Sequence, residues 1–420
     1  MDNILVNYGT IIVLIAAAFG FLMAIGIGAN DVANAMGTSV GSKALTVKQA
    51  IFIAMIFEFA GAYLAGGEVT DTIRKGVIET SLFVHQPEVL VFGMMASLLA
   101  AGTWLLLASY MGWPVSTTHS IIGAIIGFAC VTVGTEAVDW HSVQGIVGSW
   151  IITPLISGFF AYVIFISAQR LIFDTENPLI NAKRFVPVYM FITTMVIALV
   201  TIKKGLKHVG IHLSGGEAWL GATAISALVM IGGYIYIQRR FSREEEDHSF
   251  KGVESIFSVL MVITACAMAF AHGSNDVANA IGPLSAIVST VANLGEITAK
   301  SQIAWWILPL GGIGIVVGLA VLGYKVMETV GTGITELTPS RGFAAQLATA
   351  STVVLASGTG LPISTTQTLV GAVLGVGFAR GIAALNLGVV RNIVASWIVT
   401  LPAGALLAVV FYYAIEALFI

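Results

Sequence analysis

This chain has little charge. Asp, Glu, Lys and Arg make up 10% of its 420 residues and the net charge is −3, against roughly 25% charged residues in an ordinary soluble domain. That excludes a soluble globular surface, and the absence of a basic patch leaves no footprint for nucleic acid. Cysteine is scarcer still, with two residues. Cys130 and Cys266 each sit inside an apolar run, which excludes a disulfide framework and a cysteine metal site. No Walker A, HExxH or GxSxG motif occurs, so nothing points to an enzyme. Gly312-Ile-Gly314 mimics a dinucleotide fingerprint only superficially, because no βαβ unit surrounds it. The start, Met1-Asp2-Asn3, has no positive n-region, and the apolar stretch after it reaches about Gly28. That is too long for a secretory h-region, so the segment is expected to stay as a first span.

What the chain has is hydrocarbon, 57% of its residues. Twelve apolar segments can be drawn, near 4–28, 44–67, 88–110, 114–133, 145–168, 186–202, 217–237, 254–273, 302–324, 342–358, 361–379 and 387–418. Each is about as long as a bilayer core requires. The reading is an all-α membrane protein of about 12 membrane segments, some of them broken or re-entrant. The clearest polar break, Gln238 to His248, is a solvated loop. If all twelve segments cross, thirteen Lys and Arg fall in odd-numbered loops and six in even ones. The positive-inside rule then puts both termini outside, in a cell (inner) membrane, with Lys203, Lys204 and Lys207 discordant.

The chain also repeats itself. Asn30-Asp-Val-Ala-Asn-Ala-Met-Gly37 returns as Asn275-Asp-Val-Ala-Asn-Ala-Ile-Gly282, and Pro114-Val-Ser-Thr-Thr118 as Pro362-Ile-Ser-Thr-Thr366. Ser149-Trp-Ile-Ile-Thr-Pro154 matches Ser396-Trp-Ile-Val-Thr-Leu-Pro402. Three matches in one order indicate duplication. Seven crossings separate segment 1 from segment 8, an odd number, so the second copy is expected inverted, and a re-entrant pair would not change that parity. The expected division is a first repeat over 1–168, linking segments and a polar loop over 169–253, and a second repeat over 254–420. Inverted repeats around a central site are what alternating access needs.

Buried carboxylates in such a chain are expensive and mark function. Asp31 and Asn34 lie i, i+3 on a helix and Asn30 and Asn34 i, i+4, so their oxygens converge on one side; Asn275, Asp276 and Asn279 repeat this. Hard oxygen donors suit hard cations. The plainer alternative is polar glue between helices. The Pro-x-Ser-Thr-Thr segments follow Gly-rich breakers and read as helix starts inside the protein. Ser116, Thr117, Thr118, Ser364, Thr365 and Thr366 with free N–H groups would then face an oxyanion; the plainer alternative is a Pro-started helix at the interface. Glu58 is an isolated intramembrane acid, with Pro309 as its counterpart, and is expected as a further cation ligand, a proton carrier or a structural hydrogen-bonding group. His119 and His272 have Gln367 and Ile27 as counterparts, which suggests hydrogen-bonding or pH-sensing roles. Glu68 and Asp71 are expected at the interface, and His208 and His212 in a solvated loop. Gly123, Gly127, Gly371 and Gly375 form GxxxG pairs that allow close helix packing.

Gly28-Ala-Asn-Asp-Val-Ala-Asn-Ala35, Gly273-Ser-Asn-Asp-Val-Ala-Asn-Ala280 and the paired Pro-x-Ser-Thr-Thr segments resemble the PiT family of inorganic phosphate transporters. The resemblance implies secondary active uptake of phosphate, usually driven by sodium and in some members by protons, and importance for Asp31, Glu58 and Asp276. Taken with the residue chemistry above, the expectation is sodium at Asn30, Asp31, Asn34, Asn275, Asp276, Asn279 and Glu58, phosphate at the six hydroxyl residues, the lipid bilayer as surroundings, and no cofactor beyond co-transported sodium. A homodimer is admitted. The alternatives are proton-coupled phosphate, metal-phosphate or sulfate symport and, further off, an anion channel. No Lys or Arg lies in either motif, so phosphate beside these acids would gather like charges unless cations entered with it.

Overall fold

The computed structural model describes residues 4–67, 69–70, 76–205, 213–241, 250–297, 303–327, 334–381, 383 and 385–419. Glu68, Asp71, His208, His212 and most of the polar loop lie outside them. Twelve longer helices follow one another: α1 (Ile4–Gly41), α2 (Val47–Ala65), α3 (Pro87–Tyr110), α4 (Thr117–Thr132), α5 (Trp140–Ala168), α6 (Pro178–Val200), α7 (Gly215–Arg240), α8 (Phe250–Ala292), α9 (Ile307–Val321), α10 (Pro339–Gly358), α11 (Thr365–Arg380) and α12 (Leu387–Phe419). Eight are long and apolar enough to cross a bilayer; α4 and α9 are shorter apolar helices.

Several starts have a local cause. Thr46 and Ser214 make capping boxes with Gln49 and Glu217, while α3, α6 and α10 begin on a proline, whose missing N–H costs nothing in a first turn. The largest departures from the sequence reading are α1 and α8, which run on as helix through the Asn-Asp motifs to Gly41 and Ala292. Nothing in those motifs breaks a helix, since their residues between the amides are mostly Ala and Val.

Counterparts by the internal repeat are α1 with α8, α2 with α9, α3 with α10, α4 with α11 and α5 with α12. Along α1 and α8, Gly9 meets Val291 and Gly20 meets Leu284, so the two run antiparallel and the second copy is inverted. The copies interlock rather than sit side by side: α1 packs on α9 and α8 on α2, while α4 packs on α12 and α11 on α5.

Two pairs of segments do not cross, which corrects the assumption that all twelve do. The outer ends of α3–α4 are joined by a bridge between Ile78 and Val138. Those of α10–α11 are joined by the Asn386 N–H donating to Ile334 O at 3.0 Å. Each pair is therefore a hairpin that enters and leaves at one end. Helix α3 runs parallel to α1, with Gly102 against Met23 and Ser109 against Asn30. Helix α10 runs parallel to α8 from Ser340 beside Glu254 to Ser357 beside Asn275. Because α1 and α8 are antiparallel, the hairpins come from opposite ends. Their tips meet: Thr118 Oγ1 donates to Ile363 O at 2.9 Å and Thr366 Oγ1 to Val115 O at 3.2 Å.

The hairpins are held by glycine contacts. A Cβ on Gly375 would run into the carbonyl of Gly158, and one on Gly123 into that of Leu401. Gly375→Leu is expected to destabilise the protein by about 1–3 kcal/mol or more. Gly145→Ala, which meets nothing within 4 Å, should be neutral or stabilising. Thermal unfolding followed by size-exclusion chromatography separates the two.

Candidate functional site

The centre of the molecule is where two membrane-buried Asn-Asp motifs meet two hairpin tips. Asn30, Asp31, Asn34, Asn275, Asp276, Asn279, Thr117, Thr118, Thr365 and Thr366 are each at most 2% exposed. Buried polar groups on this scale require partners, and the partners come from both halves of the chain.

Asp31 Oδ2 accepts from Thr117 Oγ1 at 2.7 Å, and Asp276 Oδ2 accepts from Thr365 Oγ1 at 2.7 Å. The amides cross over. Asn34 Nδ2 donates to Thr365 and Thr366 hydroxyls at 3.3 and 2.9 Å, and Asn279 Nδ2 lies 3.3 and 3.4 Å from those of Thr117 and Thr118. Asn34 Nδ2 also holds Asp31 Oδ1 at 2.9 Å. The i, i+3 spacing read from the sequence therefore brings the two side chains together.

Asn30 fastens the first tip. Its amide donates to Ser109 Oγ at 3.2 Å and Trp113 O at 2.9 Å, and its oxygen accepts from the Val115 N–H at 3.1 Å. Asn275 does the same for the second tip. With its oxygen accepting from Ser357 Oγ at 2.9 Å, its nitrogen donates to Asp276 Oδ1 at 3.0 Å and Ile363 O at 3.3 Å.

Helices α4 and α11 begin inside the protein as the Pro-x-Ser-Thr-Thr reading required. Ser116 caps α4 through the His119 N–H, and Ser364 caps α11 through the Gln367 N–H. These two serine oxygens are thus engaged with their own helices. The Thr117 and Thr365 hydroxyls face carboxylates, the Thr118 hydroxyl faces a carbonyl, and the Thr366 hydroxyl faces both the Val115 carbonyl at 3.2 Å and Asp31 Oδ1 at 3.3 Å. First-turn N–H groups of both helices converge there with their positive dipole ends.

His272 is the residue whose place the sequence did not reveal. Its Nε2 lies 2.8 Å from Asp276 Oδ2 and 3.8 Å from Asp31 Oδ2, and its Nδ1 is 3.3 Å from Glu58 Oε2. Glu58 therefore joins the cluster through the imidazole, from α2, which packs on α8 with the Glu58 carbonyl against Gly273. The spacing of His272 and Asp276, i and i+4, was the available signal; the packing of α2 on α8 was not readable. Asp31, His272 and Asp276 can present three ligand atoms within 4.8 Å of one another, enough to hold a cation. When the acids are ionised, three carboxylates surround one imidazole, a surplus of negative charge that a cation would offset.

Gln346 was not singled out in the sequence. Its Nε2 donates to Ala35 O at 2.7 Å and Ser39 Oγ at 2.9 Å, and its oxygen accepts from Thr264 at 2.9 Å. This ties α10 to α1 and α8, whereas the counterpart position in α3 is the apolar Leu98. His119 lies beyond the cluster, its ring 3.7 Å from that of Trp150 and its Nδ1 3.3 Å from Trp397 O.

Inverted halves, two hairpins meeting at mid-depth and a buried oxygen-rich centre define a multi-pass membrane transporter, not an enzyme. Residues 27–408 match the model of the phosphate transporter family, and the chain belongs to that family. A Haemophilus influenzae protein provisionally named a phosphate permease is 62% identical over 99% of this chain and 100% of its own length. A chloroplastic inorganic phosphate transporter of Arabidopsis thaliana is 42% identical over 97% of this chain and 72% of its own. A solved structure described as the sodium-dependent phosphate transporter matches with a TM-score of 0.90 and 42% identity, covering 97% of this chain and 99% of that one.

The hydroxyl–carboxylate pairs can be tested directly. Thr117→Val and Thr365→Val each remove the hydroxyl donor from a buried carboxylate oxygen, leaving Asp276 Oδ2 with His272 alone, a loss of about 1–3 kcal/mol. Each should lower phosphate uptake by about 10-fold or more, with Thr→Ser at the same positions restoring it. Unchanged uptake in both valine variants would show the pairs to be dispensable.

Proposed function

We propose that this protein imports inorganic phosphate by symport with sodium, through alternating access around the two hairpin tips. The observation that carries the reading is the crossed pairing of Asn34 with Thr365 and Thr366 and of Asn279 with Thr117 and Thr118. Each half's cation-type residues support the other half's oxyanion-type helix start, so occupancy of one kind of site alters the other. In this reading Asp31, Asn34, Asp276 and Asn279, with Asn30, Asn275 and Glu58 nearby, bind sodium. Phosphate binds between the starts of α4 and α11, at Thr117, Thr118, Thr365, Thr366 and the first-turn N–H groups, with Ser116 and Ser364 shaping those turns. The sodium-dependent transporter with a TM-score of 0.90 supports the choice of ion.

Like-charge repulsion supplies the coupling. Two unit charges 4 Å apart interact by about 4 kcal/mol at an effective dielectric of 20, so phosphate beside Asp31 and Asp276 is disfavoured until cations neutralise them. Those acids also favour phosphate over sulfate, because phosphate at neutral pH still carries a P–OH to donate to a carboxylate. The Lys and Arg distribution supports an inner-membrane protein with both termini outside. Opening then consists of one hairpin parting from the other at the Thr118–Ile363 and Thr366–Val115 contacts.

A second reading, proton coupling, is favoured by the position of His272 between Glu58 and Asp276. Radiolabelled phosphate uptake into proteoliposomes distinguishes the two. Sodium-driven accumulation, absent with choline, unaffected by excess sulfate and lowered about 100-fold or more in Asp31→Asn and Asp276→Asn, is expected. Accumulation that follows a pH gradient without sodium would replace sodium by protons.

A further inference from the structure

We propose that the mouth of the α10–α11 hairpin is a second anion site, distinct from the centre, that takes a phosphate-type anion between Arg341 and Arg380. Both arginines direct a guanidinium nitrogen to the same acceptor: Arg341 Nη1 and Arg380 Nη1 each lie 3.2 Å from Glu336 O. Arg380 Nη1 also reaches Thr335 Oγ1 at 3.2 Å. Two like charges sharing one carbonyl repel each other. A guanidinium carries five N–H donors in a planar fork suited to two oxygens of a phosphate, and one shared carbonyl uses few of them.

The surroundings reinforce the positive charge. Arg341 lines a cavity of about 810 Å³ together with Lys43 and Lys251. Both lysines are exposed, and neither has an ion-pair partner among the described residues. Among the described residues three cations line the cavity, with Arg380 joined to them through Glu336 O, and two acids line it as well. Glu254 is committed to the start of α10, where its oxygens accept from the Ser340 N–H and hydroxyl at 2.8 Å each. Glu336 is exposed and lies on the segment whose carbonyl the arginines share. Among the described residues, cations outnumber acids here even with Glu254 and Glu336 acting on Arg341, and the guanidinium groups keep unused donors, which are the requirements of a phosphate oxyanion.

This mouth is not the central site. Seventeen helical residues separate Ser340 from Ser357 at the tip, about 25 Å at 1.5 Å per residue. Its position gives it a consequence for movement. Arg341 lies in the first turn of α10 and Arg380 is the last residue of α11, so an anion held by both would bind together the two open ends of one hairpin. The same chemistry is offered by free orthophosphate and by the headgroup of an anionic phospholipid.

The inference does not depend on which cation drives transport, and its test is run without sodium. Binding of radiolabelled inorganic phosphate to the purified full chain is measured in choline buffer for the wild type, Arg341→Gln/Arg380→Gln and Lys43→Gln/Lys251→Gln. Retention of phosphatidylglycerol is measured in parallel in nanodiscs of neutral lipid doped with it. The second variant changes only exposed side chains, so it reports even if the arginine variant fails to fold. Sodium-independent phosphate binding weakened about 10-fold or more in the variants is the expected result and identifies the free ion. Phosphatidylglycerol retention lost in the variants, without phosphate binding, supports the same site with a lipid headgroup in it. Wild type and variants that do not differ for either ligand would overturn the proposal. Adding sodium afterwards reads the central site separately, so its failure cannot be mistaken for failure here.

Discussion

Two carboxylates buried at the centre of a membrane protein are the constraint on which the rest of the structure depends. Asp31 and Asp276 are both 0% exposed, and an unpaired buried charge costs several kcal/mol. Everything around them supplies compensation: a threonine hydroxyl at 2.7 Å on each, His272 between them, and the starts of α4 and α11 nearby. A helix start can stand at that depth only if the chain turns back there, and a turn at that depth must bury its backbone in protein. Hairpins meeting tip to tip satisfy both conditions, because each tip closes the other through the Thr118 and Thr366 hydroxyl contacts.

The two halves are alike in their paired motifs and unlike in the residues around them. Asp, Asn and Thr positions are matched pairwise across the repeat. Glu58, His272 and Gln346 are not; their counterparts are Pro309, Ile27 and Leu98. Gln346 links the second hairpin to α1 and α8 by three buried hydrogen bonds, and the first hairpin has no such link at that position. The Glu58–His272 arm likewise reaches the centre from one side only.

Much of this was legible in the chain. Apolar length located all twelve longer helices, and parity predicted the inversion that Gly9 against Val291 displays. The Asn-Asp and Pro-x-Ser-Thr-Thr motifs named the central side chains because duplication singled them out. What stayed hidden depended on contacts between distant segments. Apolar length cannot distinguish a crossing helix from one arm of a hairpin, since both are buried in apolar surroundings. Gln346 lacks a counterpart, so the repeat that drew attention to Asp31 passed over it; His272 stood out by its unmatched position, but its three carboxylate neighbours depended on the packing of α2 on α8. The charged mouth is assembled from Lys43, Lys251, Arg341 and Arg380, residues that the sequence presents only as ordinary loop charges.

The account rests on the claim that cations at the buried acids make the phosphate site habitable. Its most direct measurement is binding without transport: phosphate affinity of the purified protein against sodium concentration, and sodium affinity against phosphate concentration. Linkage requires the two to tighten by the same factor, and the account predicts that they do so by about 10-fold or more, with the effect lost in Asp31→Asn. Phosphate binding that ignores sodium at every concentration would contradict it.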